Sequence, residues 1–504
     1  MTTDWQTTNL RPYQLEAANW LTEMPRIGVR GKLLADGLGV GKSRSALGAQ
    51  RLAFERGLME NPCGLVFTTA NSVHDWGREA AKMWPELKVH LLGSECAYRR
   101  KKESKEDFDQ RRNGEWQAML LDTERPSLIV SSYEGAERID AFITEREILL
   151  DRVTIDEAHR LKSERTSRAK LLRTFVARST QTSLLTGTPI ENRPQDLFNI
   201  LDLCHRGAFG SYWKFAERFF QIHVGDKGFG QEVGDLLDKD ELDAAIKYLV
   251  MGRSSAEVMG KMPTRQRILK LIEAPGAERI SPAKLHLFKE STGIEAACRG
   301  AVKYKLAAAV ELVQDLDQPV VLYAYRREDA NKLAELLMKA KIPTLVATGD
   351  STTAKRDLII ERWKAGEATA LVCTMDAVKE SATLVRAAVM VFVDLTWLPG
   401  TILQCEGRID PARQPENERR PVVYYYLVTK DGPDEVVAES LVHKIEQASG
   451  LAVKNGIADS FGEFLTPLDK RVKTTEISPI LMMEDLTARL VARANRFADL
   501  GMLD

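Results

Sequence analysis

The chain of 504 residues carries 71 lysines and arginines against 72 aspartates and glutamates, a formal net charge of −1, with 44% hydrophobic and 28% charged residues. That length allows two to four domains, and the composition is that of a globular protein rather than a disordered, collagenous or disulfide-stapled one. The charge balance excludes a histone-like binder, so any nucleic-acid contact has to be a local basic surface.

Six cysteines (63, 96, 204, 298, 373 and 405) stand without a C-x-x-C pair, which fits reduced thiols and gives no zinc site. Met1-Thr2-Thr3-Asp4-Trp5 lacks the basic-then-apolar pattern of a signal peptide. The apolar run from Ala387 to Val393, between Arg386 and Asp394, is far too short to span a bilayer. The expectation is a cytoplasmic protein with no membrane partner.

Pro12 opens a stretch with apolar residues at Leu15, Ala18 and Leu21, the spacing of an amphipathic helix. Leu33-Leu34-Ala35 then runs into the glycine-rich Asp36-Gly37-Leu38-Gly39-Val40-Gly41-Lys42-Ser43. Glycines at this density let backbone N–H groups point inward around a polyphosphate. Lys42 is placed to reach the β- and γ-phosphates, and the Ser43 hydroxyl to meet Mg²⁺. Asp36 stands where the strict motif has its first glycine. Strand-like runs follow at Gly64–Ala70, Leu128–Glu134 and Val153–Asp156. The last ends in adjacent carboxylates, Asp156 to hold Mg²⁺ and Glu157 to orient or deprotonate an attacking water. Trp76 reads as a core or helix-packing residue, and Tyr98–Lys102 is a basic run read as a solvated face or a DNA contact. Strands alternating with helices across residues 30–190 call for a parallel α/β sheet with its chemistry at the strand ends.

Residues 223–265 read as Gly/Asp/Lys-rich and then helical. The βα alternation restarts with Pro319–Tyr325, a helix through Leu337, the strand and loop Ile342–Asp350, and an amphipathic helix around Lys355–Trp363. Ala370–Thr374 is a strand, and Val389–Val393 reads as its buried neighbour. Leu486–Leu500 has the pattern of a charged amphipathic helix, for padding or for a partner.

Several of these stretches resemble, in order, the motifs of the Swi2/Snf2-like branch of superfamily 2 helicases: Leu10-Arg11-Pro12-Tyr13-Gln14, Asp36–Ser43, Asp156-Glu157-Ala158-His159-Arg160-Leu161-Lys162-Ser163, Leu184–Asn192 and Gln404–Gln414. The resemblance covers roughly residues 10–440. It implies an α/β fold of two RecA-like lobes, each a mostly parallel sheet flanked by helices. The expected divisions are 1–262 for lobe one, 263–447 for lobe two and 448–504 for a C-terminal helical extension.

The same resemblance implies ATP and Mg²⁺ as cofactors and assigns the site residues. Lys42, Asp156, Glu157, Gln404 and Arg408 form the catalytic set, with Arg408 as an arginine finger in cis. Arg11, Gln14, Asp36, Gly37, Gly39, Gly41, Lys42, Ser43 and Arg413 bind ATP, with Ser43 and Asp156 on the metal. His159, Thr186, Gly187 and Thr188 couple nucleotide state to the interlobe surface. Thr68, Asn71, Ser131, Tyr133, Thr348, Gly349 and Thr374 contact DNA. Two departures stand out: Pro411 occupies the usual place of a second arginine, with Arg413 two positions later, and Met375–Thr383 lacks the usual glycine-rich end of motif V.

The implied function is an ATP-dependent translocase on duplex or branched DNA, serving remodelling, branch migration or annealing without sequence preference. The alternatives are a strand-separating DNA or RNA helicase and an ATP-gated DNA-binding scaffold with weak hydrolysis. With no bromodomain-like, chromodomain-like or zinc module in sight, the expectation is a bare monomeric motor of bacterial or phage type.

Overall fold

The computed structural model describes residues 9–438, apart from 24–25, 38, 93–103, 121–124, 146, 149, 162–165, 188–193, 225–230, 254, 261, 276–290, 317, 352, 379–381, 397–398, 431–433 and 435–436. The basic run Tyr98–Lys102, Thr188, and the expected extension 448–504 with its helix lie outside the described residues. The chain divides into two compact units between Gly260 and Lys261.

In the first unit the strands are β1 (Gly31–Leu34), β2 (Cys63–Thr68), β3 (Lys88–Leu92), β4 (Ser127–Ser132), β5 (Leu150–Asp156), β6 (Ser179–Leu185), β7 (Phe220–Val224), β8 (Gln231–Leu236) and β9 (Val250–Met251). Seven of them form one parallel sheet in the order β3-β4-β2-β5-β6-β1-β9. β2 and β4 are buried at every residue, as parallel strands covered on both faces are. Successive side chains divide between two cores. Leu33, Leu65 and Phe67 pack with Leu172 and Phe175 of the helix Ser167–Arg178, and Leu34 and Val66 pack with Leu47 of Lys42–Glu55 and Trp76 of Val73–Met83.

Because the sheet is parallel, the residues that follow β1, β2, β5 and β6 share one edge. β7 and β8 pair antiparallel apart from the main sheet, at the Gly/Asp/Lys-rich start of the 223–265 stretch, whose later part holds the helices Lys239–Ile246 and Ser255–Met259 as read. Phe220 seeds the hairpin by joining the Phe215–Phe219 aromatic cluster, while the hairpin's polar residues hide the strand period in the sequence.

The second unit has β10 (Arg265–Ile272), β11 (Val320–Ala324), β12 (Thr344–Ala347), β13 (Ala370–Thr374), β14 (Val389–Phe392) and β15 (Val422–Thr429), in the order β10-β15-β14-β11-β13-β12, again all parallel. β14 therefore does not neighbour β13, as its sequence suggested. Both flank β11, and an apolar run fully buried on both faces carries no mark of which strand it will meet. Register locks the centre of this sheet: Tyr323, Phe392 and Tyr426 are cross-strand partners, and their rings stack at centroid distances of 5.6 and 4.9 Å. Among the described residues no helix is long and apolar enough to cross a membrane.

Candidate nucleotide site

The glycine-rich loop leaves β1 and ends at the first turn of the helix Lys42–Glu55, the end of a helix that favours an anion. Gly39 and Gly41 adopt φ of 79° and 94°, a region that L side chains rarely enter, and a Cβ on Gly41 would run into Gln14 Nε2. Lys42 Nζ donates to the carbonyls of Asp36 (2.9 Å) and Gly37 (3.1 Å), which folds the cation over the loop it serves. Ser43 follows it, half-buried.

Gln14 is buried under this loop. Its amide donates to Val40 O (2.9 Å) and its carbonyl accepts from Arg11 N (3.1 Å), while Tyr13 Oη donates to Val40 O (3.2 Å). The helix Pro12–Thr22 thus supports the loop from one side, and Arg11 stands at its N-cap.

Asp36 is placed otherwise than expected. It is fully buried, and its carboxylate receives Arg253 Nε on Oδ1 (3.1 Å) and Nη2 on Oδ2 (2.7 Å), so it fastens the loop rather than facing a nucleotide. Arg253 also donates Nη1 to Glu16 Oε2 (2.7 Å), and its carbonyl accepts from Gly37 N (2.9 Å). One arginine, just past the edge strand β9, thereby ties the Gln14 helix to the loop. Sequence reasoning missed it. Its signal was the uncompensated Asp36, which had to find a cation if buried.

The acidic pair sits where β5 ends. Asp156 Oδ2 accepts Trp76 Nε1 (2.8 Å) and Thr68 Oγ1 (3.1 Å), and Oδ1 accepts the N–H of Glu157 (3.1 Å). Burial first, and then the neighbouring Glu157 charge, pushes Asp156 up to about 6, against the two donors and Lys42. Glu157 has φ of 50°, an uncommon backbone for a residue with a Cβ. His159 Nδ1 hydrogen-bonds Thr186 Oγ1 (3.0 Å) and lies 3.3 Å from Glu157 Oε2 without a hydrogen bond to it, so one imidazole sits between the acidic pair and the segment after β6. Gly187 follows, buried.

Three residues expected to contact DNA have their hydroxyls engaged inside the first unit. Thr68 spends its hydroxyl on Asp156, Ser131 is buried and donates to Ser132 O (2.9 Å), and Tyr133 is buried with its hydroxyl on Asp156 O. Strand-end hydroxyls look alike in sequence, and on a parallel sheet those beside β5 turn toward the acidic strand end. Trp76 is a core residue as expected, but its indole N–H serves Asp156 as well. Asn71 is half-exposed, on the short turn Ala70–Ser72.

In the second unit Thr348, just past β12, and Thr374, at the end of β13, are buried, while Gly349 is exposed with open space around it. Gln404 and Arg408 are buried; Arg408 donates Nε to Gln404 O (2.9 Å) and Nη1 to Ala382 O (3.5 Å). Arg413 closes the short turn Pro411–Arg413, half-buried.

A phosphate-type loop, an acidic pair on the next-but-one strand and a hydroxyl-bearing third segment, on the edge of one parallel sheet and followed by a second parallel α/β unit, define a P-loop protein of RecA-like lobes. The profile described as SNF2-related domain matches residues 13–286, and that described as Helicase conserved C-terminal domain matches residues 304–410. The chain belongs to the SNF2-related family.

It is 23% identical over 468 residues to the SWI/SNF-related matrix-associated actin-dependent regulator of chromatin subfamily A-like protein 1 of Xenopus laevis, covering 87% of this chain and 43% of that protein. It is 24% identical over 340 residues to the DNA annealing helicase and endonuclease ZRANB3 of Mus musculus, covering 60% of this chain and 31% of that protein. The chain thus spans less than half the length of these curated relatives. Among solved structures, a variant of S. cerevisiae Dbp5 bound to RNA and ADP BeF3 matches with a TM-score of 0.50 at 12% identity, covering 86% of each chain, a likeness of fold.

Proposed function

We propose that the chain is an ATP-hydrolysing motor that moves on duplex or branched DNA, serving remodelling, branch migration or annealing. The observation that carries this is the connected set Trp76–Asp156–Glu157–His159–Thr186 beside a phosphate-type loop. Family membership and the annealing activity named for the mouse relative support it.

The residues present fit Mg²⁺ and a polyphosphate. Positive-φ glycines leave room at the loop, Lys42 donates to two loop carbonyls that a phosphate can replace, and Ser43 with Asp156 supplies hard oxygen donors. Bound Mg²⁺ would neutralise charge on the phosphate oxygens. In this reading Lys42 grips the phosphates, and Glu157 takes the proton of the attacking water. His159 passes the state of that carboxylate to Thr186. Arg408 offsets charge on the transferring group once it leaves Gln404 O and Ala382 O.

Asn71, half-exposed, and Gly349, exposed, are the candidates for contact with DNA phosphates, which carry position without sequence. The motor works as a monomer in the cytoplasm.

Pro411 and the internal bonds of Arg408 favour one second reading, an ATP-gated scaffold with weak hydrolysis. Steady-state hydrolysis with no nucleic acid, duplex, forked and single-stranded DNA, and RNA separates the possibilities, with Lys42→Ala as the blank. The motor predicts strong stimulation by duplex or forked DNA and loss of every activity in Glu157→Gln. Stimulation by single strands or RNA alone points to a strand-separating helicase. Retained function in Glu157→Gln points to the scaffold.

A further inference from the structure

Arg265 and Arg267 stand two residues apart on β10 and so share one face of that strand. Both reach the segment that carries Arg408. Arg267 donates Nε to Glu406 Oε1 (2.8 Å) and Nη2 to Oε2 (2.7 Å), and Arg265 donates Nε to Asp410 Oδ2 (2.7 Å) and Nη2 to Oδ1 (3.2 Å). Glu406 and Asp410 lie two residues to either side of Arg408.

Each carboxylate is held further. Glu406 also receives the Tyr426 hydroxyl, and Asp410 Oδ1 the N–H of Ala412 (2.8 Å), at the turn that leads to Arg413. Burial alone would lower the Arg267 guanidinium, but the Glu406 carboxylate more than offsets it and leaves it above its ordinary range.

Buried ion pairs of this kind are poor sources of stability, because desolvation offsets much of the Coulomb gain and an apolar pair of similar volume does as well. What a forked arginine does supply is orientation, fixing a carboxylate in two directions at once. Two such forks on neighbouring same-face positions, both ending two residues from one arginine, are accounted for by placement.

We propose that Arg265 and Arg267 are positioning residues that clamp the Gln404–Gln414 segment at Glu406 and Asp410, so that Arg408 and Arg413 are held in register on β10. The clamp rests on the hydrolytic role proposed above for Arg408.

The test uses the full chain and duplex DNA, comparing Arg265→Asp, Asp410→Arg and the two combined for kcat, ATP KM and melting temperature. Each single variant is expected to lose tenfold or more in kcat with ATP KM within twofold. The combined swap, which restores the pair in reverse, is expected to regain at least a third of the wild-type kcat. Should Arg265→Asp fail to fold, Arg265→Lys keeps the charge without the fork, and a threefold or larger loss in kcat at unchanged KM is expected. Folded single variants with wild-type kcat overturn the clamp, as does a loss that the swap leaves in place. Arg408→Ala separates the two ideas: if it hydrolyses at the wild-type rate, the functional reading falls and the clamp with it. If Arg408→Ala is inactive while the Arg265 variants are normal, the clamp alone falls.

Discussion

Asp156 illustrates how a site residue can oppose the fold that holds it. Its carboxylate is saturated by Trp76, Thr68 and the Glu157 N–H, yet burial and Glu157 raise it from 3.8 to about 6. A carboxyl group raised on folding counts against the folded state at neutral pH, increasingly as pH climbs from 4 to 6. Two units correspond to a ceiling of about 3 kcal/mol, and partial exposure reduces it. Asp156→Asn is therefore expected to stabilise the metal-free protein by about 1 kcal/mol, because losing the raised charge outweighs the Glu157 N–H bond given up when the amide keeps its oxygen toward Trp76 and Thr68. Thermal melting in chelator reads this, and an unchanged or lower midpoint contradicts it. Arg253 makes the complementary prediction. Arg253→Met leaves Asp36 buried without its cation and frees the loop from Glu16, so ATP KM should rise fivefold or more with a smaller change in kcat. A KM within twofold of wild type would show that the loop holds its shape unaided.

At the scale of elements, the loop and the helix Pro12–Thr22 behave as one piece, since Gln14 and Tyr13 both bond Val40 O and Gln14 abuts Gly41. Gly41→Ala combines a strained φ of 94° with a clash against that glutamine, at a cost of about 1–3 kcal/mol. Nucleotide binding, read by fluorescent ADP titration, should weaken at least tenfold, and wild-type affinity would mean that the loop reshapes freely. Much of this region was legible in the sequence, because glycine spacing, an acidic strand end and fully apolar strands are local signals. What was not legible is where side chains go after the sheet is assembled. Thr68, Ser131 and Tyr133 looked like surface hydroxyls, and only the strand order β4-β2-β5 turns two of them toward Asp156. Arg253 and the Arg265–Arg267 pair were hidden for the same reason, since their partners lie 217 and about 140 residues away. The hairpin β7–β8 was lost because its polar residues mask a period of two.

At the scale of the molecule, a formal net charge of −1 gives the chain no general attraction for nucleic acid, so any contact with it has to be a local surface. Two parallel α/β units are present, one with the phosphate-type loop and acidic pair, the other with the arginine segment held from β10. The most direct measurement is displacement of a triplex-forming third strand from a long duplex, followed in the same reaction as separation of the duplex itself. A duplex translocase releases the third strand only with hydrolysable ATP, leaves the duplex paired, and loses the activity in Glu157→Gln. Release of the duplex strands, or DNA-stimulated hydrolysis with the third strand left in place, would contradict movement along duplex DNA as the work of this chain.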